Sequence, residues 1–91
     1  MLGARRRFEG HAGNGTLTLS HAEVGRIYVL EGLDGGAAFR EKICSMGLNT
    51  GAQFRIIANS GHGPVGLEVR QTRLGIGRGM AEKIRIREVE S

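Results

Sequence analysis

A chain of 91 residues with 40% hydrophobic and only 4% aromatic residues has room for one domain with an aliphatic core. The formal net charge is +4: residues 1–15 hold three arginines against one glutamate, and residues 16–91 hold ten basic against eight acidic side chains, so each part contributes +2. A single cysteine excludes an internal disulfide framework and is typical of a reducing compartment. Since no apolar run reaches the roughly 18 residues of a membrane span, we expect a cytoplasmic protein.

The first part of the chain predicts a disordered extension. Residues 1–15 are glycine-rich, polar and aperiodic, so the ordered domain is expected to cover residues 16–91. The three arginines Arg5–Arg7 leave a peripheral contact with acidic lipid open. Ser20 and Glu23 have the spacing of a capping box, which predicts one helical turn that Gly25 then ends.

The ordered part is predicted to be mainly β with one short helix. A helix starting at Ala37 is indicated by Phe39, Ile43 and Met46 at i, i+4 and i+7, and Gly47 stands where such a helix ends. The predicted strands cover residues 26–31, 52–58, 65–70, 73–76 and 81–89. About five short strands and one helix predict a small β-barrel.

The glycine-rich stretch LGIGRGMAEK, residues 74–83, invites comparison with phosphate-binding loops. A dinucleotide fingerprint is spaced G-x-G-x-x-G inside a βαβ unit, whereas Gly75, Gly77 and Gly79 alternate, and no Gly-Lys-Ser or Gly-Lys-Thr exists for a Walker A loop. We therefore interpret the three glycines as a structural corner, where a strand bends and a short helical turn begins.

Candidate chemistry is sparse. No histidine pair has a recognised ligand spacing, and the metal candidates are His62 on a loop and Cys44 on the helix, with Fe(II) or Zn(II) as the ions. A free cysteine is, however, commonly a small buried hydrophobic residue. No nucleophile stands with a convincing base, so no enzyme is predicted. Nucleic-acid binding is not expected either, because four aromatic residues are too few for a stacking surface.

Three segments together resemble the FeoA family of bacterial ferrous iron uptake. They are LTLSHAEVGRIYVLEGL (17–33), FREKICSMGLNTGAQFRII (39–57) and PVGLEVRQTRLGIGRGMAEKIRI (64–86). The helix ending in Met-Gly-Leu and followed by Gly51 is the core of the resemblance. It implies a small SH3-like β-barrel and a role beside FeoB, the membrane ferrous iron permease with a cytosolic GTP-binding domain.

The resemblance implies a non-enzymatic accessory protein that docks on the cytosolic part of FeoB. Arg40, Glu41 and Lys42 are the expected partner-binding side chains, and Leu48 is either a core residue or an interface anchor. Gly47 and Gly51 are expected to set the turns around it. Two alternatives stay open: a metal-sensing module, and a stand-alone relative of the C-terminal domain of diphtheria-toxin-repressor-type regulators. The oligomeric state is not determined by the sequence.

Overall fold

The computed structural model describes residues 16–89, which fold into six antiparallel strands and two α-helices. The predicted extension, residues 1–15, lies outside the described residues. The strands are β1 (Thr16–Thr18), β2 (Ile27–Leu33), β3 (Gln53–Ala58), β4 (Val65–Val69), β5 (Thr72–Ile76) and β6 (Ile84–Glu88). The helices are α1 (Ala37–Ser45) and α2 (Arg78–Ala81), and a 3-10 turn covers Leu19–His21.

The strands form one sheet in the order β1-β6-β2-β3-β4-β5. The predicted mainly-β class is confirmed, but the counts of five strands and one helix are each one too low. Both additional elements are short, three residues for β1 and four for α2. Such lengths are too short to show a hydrophobic period in a sequence. The sheet is also open, because β1 and β5 lie at its two edges and do not pair with each other among residues 16–89.

One face of the sheet carries the core. In β4 the side chains of Val65, Leu67 and Val69 are buried and alternate with half-buried positions, as expected for a strand with one face in the core. Ile84 and Ile86 do the same in β6. Among residues 16–89 the core is aliphatic, as the composition predicts, apart from two buried rings: Tyr28 and Phe54 stack with their centroids 6.4 Å apart.

The predicted capping box is wrong. Ser20 lies inside the 3-10 turn, where its Oγ is 2.8 Å from Thr18 Oγ1, and no side chain caps the turn. The turn closes when the Ala22 N–H donates to the Leu19 carbonyl at 3.1 Å. Leu19 and Ala22 are both buried, so packing of these two residues determines the local structure here.

The segment between the 3-10 turn and β2 is held by hydrogen bonds from its backbone N–H groups. Gly25 has a φ of 91°, and its N–H donates to the Ile56 carbonyl. The Glu23 N–H donates to the hydroxyl of the buried Tyr28 at 2.9 Å. Burial raises the pKa of Tyr28 because the phenolate would lose its hydration, although this hydrogen bond acts in the opposite direction.

Candidate interaction surface

Helix α1 is held to the domain by few residues. It follows β2 after a short loop and covers Ala37–Ser45, as its apolar stripe predicts. Of its nine residues only Ile43 is buried, while Phe39, together with Met46 just after the helix, is partly buried and packs against the core. Most side chains of α1 therefore face solvent.

Phe39 attaches the first turn of α1 through a close contact with the preceding loop. A Cβ atom on Gly35 would lie 2.5 Å from Phe39 Cδ2, so the ring occupies the space that a side chain would need. Lys83 Nζ also lies 5.8 Å from the Phe39 ring centroid, within the range of a cation–π interaction. The absence of a side chain at position 35 thus allows the helix to pack closely against its own loop.

The last turn of α1 ends in a Schellman motif. The Gly47 N–H donates to the Cys44 carbonyl at 2.9 Å, and the Leu48 N–H donates to the Ile43 carbonyl at 3.3 Å. Gly47 has a φ of 91°, the left-handed conformation that this motif requires. Ile43 and Leu48, three residues before and two residues after the Met46 cap, are both buried. The motif therefore directs the chain from the exposed helix back into the core.

Gly47→Ala is expected to lower the free energy of unfolding by about 1 kcal/mol, because only glycine adopts this backbone conformation without strain. No atom of residues 16–89 lies within 4 Å of the position that the new Cβ would take, so the cost comes from the backbone alone. Urea unfolding followed by circular dichroism measures it. In the matched control, Gly79→Ala, the glycine is exposed in α2 and equally uncrowded but lacks a positive φ, and we expect it to stabilise the protein. Equal effects of the two changes would contradict the assignment.

The structure places Arg40, Glu41 and Lys42 on the exposed side of α1. Arg40 is nevertheless engaged: Nε donates to the Gly35 carbonyl at 3.2 Å and Nη2 to the Leu33 carbonyl at 3.3 Å. Among residues 16–89, no side-chain hydrogen bond or ion pair involves Glu41 or Lys42. Arg40 therefore tethers the helix, while the other two are available for a contact.

Leu48 is predicted to be either a core residue or an interface anchor, and the structure places it in the core. Its side chain is 1% exposed and belongs to the central hydrophobic cluster. The following turn is closed by the Ala52 N–H, which donates to the Asn49 carbonyl at 2.9 Å, with Gly51 at a φ of 94°. Because Leu48 offers no side-chain surface to a partner, we omit it from the contact residues proposed below.

The two metal candidates lie on different elements. His62 is exposed in the loop between β3 and β4, and Cys44 is exposed on α1. The expectation of a buried cysteine is wrong, because the neighbouring Ile43 takes the core-facing position and Cys44 lies about 100° further round the helix. Within residues 16–89, no group of three or more His, Cys, Asp or Glu residues has a metal-binding arrangement.

The glycine-rich stretch spans the end of β5 and the start of α2. Gly75 lies in β5 opposite Gly66, Gly77 immediately precedes α2 with a φ of −56°, and Gly79 is inside that helix. None of the three has a positive φ. The stretch therefore passes from β5 into α2 without a residue in the left-handed conformation.

Arg78, between two of these glycines, has a structural role that no sequence pattern predicts. Its guanidinium donates to three acceptors: the Gly63 carbonyl at 3.0 Å, the Ser20 carbonyl at 3.1 Å and Asn59 Oδ1 at 2.7 Å. The Asn59 amide in turn donates to the carbonyls of Ser20 and Ala22. This network, which we call the Arg78 network, joins the 3-10 turn, the β3–β4 loop and α2. A basic residue followed by glycine is too common to predict such contacts from sequence.

No helix within the described part of the chain is long and apolar enough to cross a membrane. A family model described as FeoA domain matches residues 17–88, almost all of the described residues. The chain is 32% identical over 72 residues to "Putative Fe(2+) transport protein A" of Methanocaldococcus jannaschii; this covers 79% of the chain and 87% of that protein.

Solved structures agree with the family match. A crystal structure of an iron uptake regulatory protein, FeoA, superposes with a TM-score of 0.77 at 30% identity and covers 81% of this chain and 99% of the other. A FeoA-like protein from Clostridium acetobutylicum gives 0.73 at 22% identity, covering 85% and 91%. The metal-bound repressor ScaR gives 0.71 at 20% identity, with 82% of this chain on 37% of ScaR, and this likeness concerns the fold alone. These similarities confirm the SH3-like fold. The chain belongs to the FeoA family.

Proposed function

We propose that this protein is a non-enzymatic accessory protein of ferrous iron transport that docks on the cytosolic part of FeoB. Two observations support this proposal. The first is membership of a family that includes a relative named as an Fe(2+) transport protein. The second is the exposed helix α1, of which a single residue is buried. A helix that contributes so little to the core of its own domain is well placed to contribute to an interface.

The proposed contact centres on Glu41 and Lys42. Both are exposed and, among the described residues, make no side-chain hydrogen bond or ion pair. Docking would therefore not have to break an existing ion pair, so the cost of forming a complementary pair with a partner would be low. Arg40 holds α1 in position through its bonds to the carbonyl of Leu33, at the end of β2, and to that of Gly35 in the following loop.

Lys42→Glu is the expected binding-defective variant. Reversing this charge replaces an attraction at the interface by a repulsion, and we expect affinity for the cytosolic domain of the same organism's FeoB to fall about tenfold or more. Biolayer interferometry with the full chain immobilised measures the change. Because Lys42 lies in the last turn of α1, the helix itself would lose only a few tenths of a kcal/mol in favourable dipole interaction.

The matched control is Lys42→Arg, which keeps the charge and should bind as the unmodified protein does. Arg40 is unsuitable for this test because its replacement would also release α1 from the loop. Unchanged binding by Lys42→Glu, with binding by the unmodified protein established, would place the interface elsewhere on the domain. Lack of binding by the unmodified protein in every nucleotide state of FeoB would reject the docking function.

A further inference from the structure

The solvent face of the sheet is electrostatically divided. On the β2–β6 side, every arginine forms an ion pair. Arg85 pairs with Asp34 at 3.0 Å, and Arg87 pairs with Glu31. Arg26 pairs with Glu88 and also with Glu23, the latter at 2.8 Å. On the β3–β4–β5 side, Arg55, Arg70 and Arg73 are all exposed. Among residues 16–89, none of these three side chains has a hydrogen bond or an ion pair. Within residues 16–89, the sheet arginines without an ion-pair partner are therefore all on the β3–β4–β5 side.

A shallow groove of about 280 Å³ lies within this region. Its lining includes Ile27, Gln53, Arg55, Glu68, Arg70 and Gln71. Arg55, Glu68 and Arg73 are consecutive cross-strand neighbours, with Glu68 between the two arginines. Glu68 is therefore the one carboxylate in a lining that holds two guanidinium groups, and Arg73 is its cross-strand neighbour in β5. The Ile27 side chain in this lining is 39% exposed and can make an apolar contact with a ligand.

The turn at the edge of the groove has an unfavourable sequence for its conformation. Arg70 and Gln71 form the two-residue connection between β4 and β5, with φ values of 52° and 70°. Two-residue hairpin turns with positive φ at both positions strongly favour asparagine and glycine, and other residues there are strained by about 1 kcal/mol each. Among residues 16–89, neither side chain makes a hydrogen bond or an ion pair that would compensate for this cost. Both side chains nevertheless line the groove.

We propose that this groove, which we call the arginine groove, binds an acidic segment of a partner protein. A guanidinium fork matches a carboxylate in two parallel hydrogen bonds, and the amides of Gln53 and Gln71 add donors for a peptide backbone. Nucleic acid fits less well, because Phe54 is 3% exposed and no exposed ring is available in the groove to stack on a base. A membrane surface would require more basic residues and a larger apolar contact than Ile27 provides.

The proposal is independent of the α1 docking surface and does not rest on it. A fluorescently labelled oligoglutamate peptide of about eight residues, roughly 26 Å when extended, serves as the probe in an anisotropy titration of the full chain. We expect salt-sensitive binding that the double variant Arg55→Gln/Arg70→Gln weakens about tenfold or more. Because both side chains are exposed and unbonded, the variant should keep the melting temperature of the unmodified protein.

Two further variants make the test specific. Lys83→Gln removes one positive charge outside the groove and should leave peptide affinity within about twofold, since Lys83 lies beside Phe39 of α1 and does not line the groove. Arg70→Asn/Gln71→Gly gives the turn its preferred sequence, so we expect a higher melting temperature together with weaker peptide binding. Stability and binding would then move in opposite directions, which a purely structural role of the turn would not produce.

Several outcomes would overturn the proposal. They are unchanged peptide binding by Arg55→Gln/Arg70→Gln, an equal loss in Lys83→Gln, or full peptide binding by the stabilised turn variant. Tighter binding to single-stranded DNA or to phosphatidylserine vesicles than to the peptide, with the same dependence on the two arginines, would assign the groove to another class of partner. Loss of FeoB binding by Lys42→Glu has no bearing on these results, so the two proposals fail separately.

Discussion

Leu48→Ala is expected to lower the free energy of unfolding by about 3 kcal/mol, within the 2–5 kcal/mol typical of such changes in a core. The side chain is 1% exposed and belongs to the central cluster, so the change removes apolar contacts and leaves a cavity that its neighbours fill only in part. A domain of this size has a total stability of only about 4–11 kcal/mol, so much of it would be lost. Urea unfolding followed by far-ultraviolet circular dichroism gives the value.

The control for this prediction is Val24→Ala. Val24 is 55% exposed, and its truncation should change stability by no more than about 0.5 kcal/mol. The comparison also decides between the two roles that the sequence left open for Leu48. A Leu48→Ala variant that kept its stability but lost affinity for FeoB would identify an interface anchor and contradict the core assignment.

Arg78→Ala is expected to cost about 2–3 kcal/mol, because hydrogen bonds from a charged donor each contribute more than neutral ones. The Ser20 carbonyl keeps its bond from the Asn59 amide, so the cost comes mainly from the lost charged donor. The variant loses the bonds to Gly63, Ser20 and Asn59 together. For a domain of this size, each kcal/mol corresponds to about 4–8 °C in melting temperature. A thermal scan should therefore show a large downward shift.

Two other variants isolate the cause. Arg73→Ala removes an exposed guanidinium that has no bonded partner among the described residues and should leave the melting temperature almost unchanged. Arg78→Lys keeps the charge but not the planar fork that serves three acceptors at once, so we expect an intermediate value. If Arg78→Ala and Arg73→Ala were equivalent, the Arg78 network would have no structural importance.

Much of the fold could be predicted because its longer elements have clear periods. The alternation in β4 corresponds to buried positions. The stripe of Phe39, Ile43 and Met46 packs against the core, with Ile43 buried and the other two partly buried. The errors fall on short elements, where tertiary packing decides. Ser20 and Glu23 match a capping pattern, yet the burial of Leu19 and Ala22 selects a 3-10 turn instead.

The surface was harder to predict than the fold. That Arg40, Glu41 and Lys42 face solvent follows from the helical period, and the structure agrees. The sequence could not distinguish the tethering role of Arg40 from the unbonded state of Lys42, because each depends on a loop that packs beside the helix. The same limit applies to the arginines of the sheet: their pairing or lack of it depends on cross-strand register, which brings Arg55 and Glu68 together from 13 positions apart.

The position of β6 has a consequence for how the domain is made. This strand, at residues 84–88, lies between β1 and β2, which come from the beginning of the described residues. Before β6 leaves the ribosome, one edge of β2 has no partner, and β1 has nothing to pair with. Contacts between residues that are far apart in the sequence form slowly, because the long loop between them must be ordered first. We therefore expect the sheet to be completed only after synthesis of the domain, with the edge of β2 exposed to other chains until then.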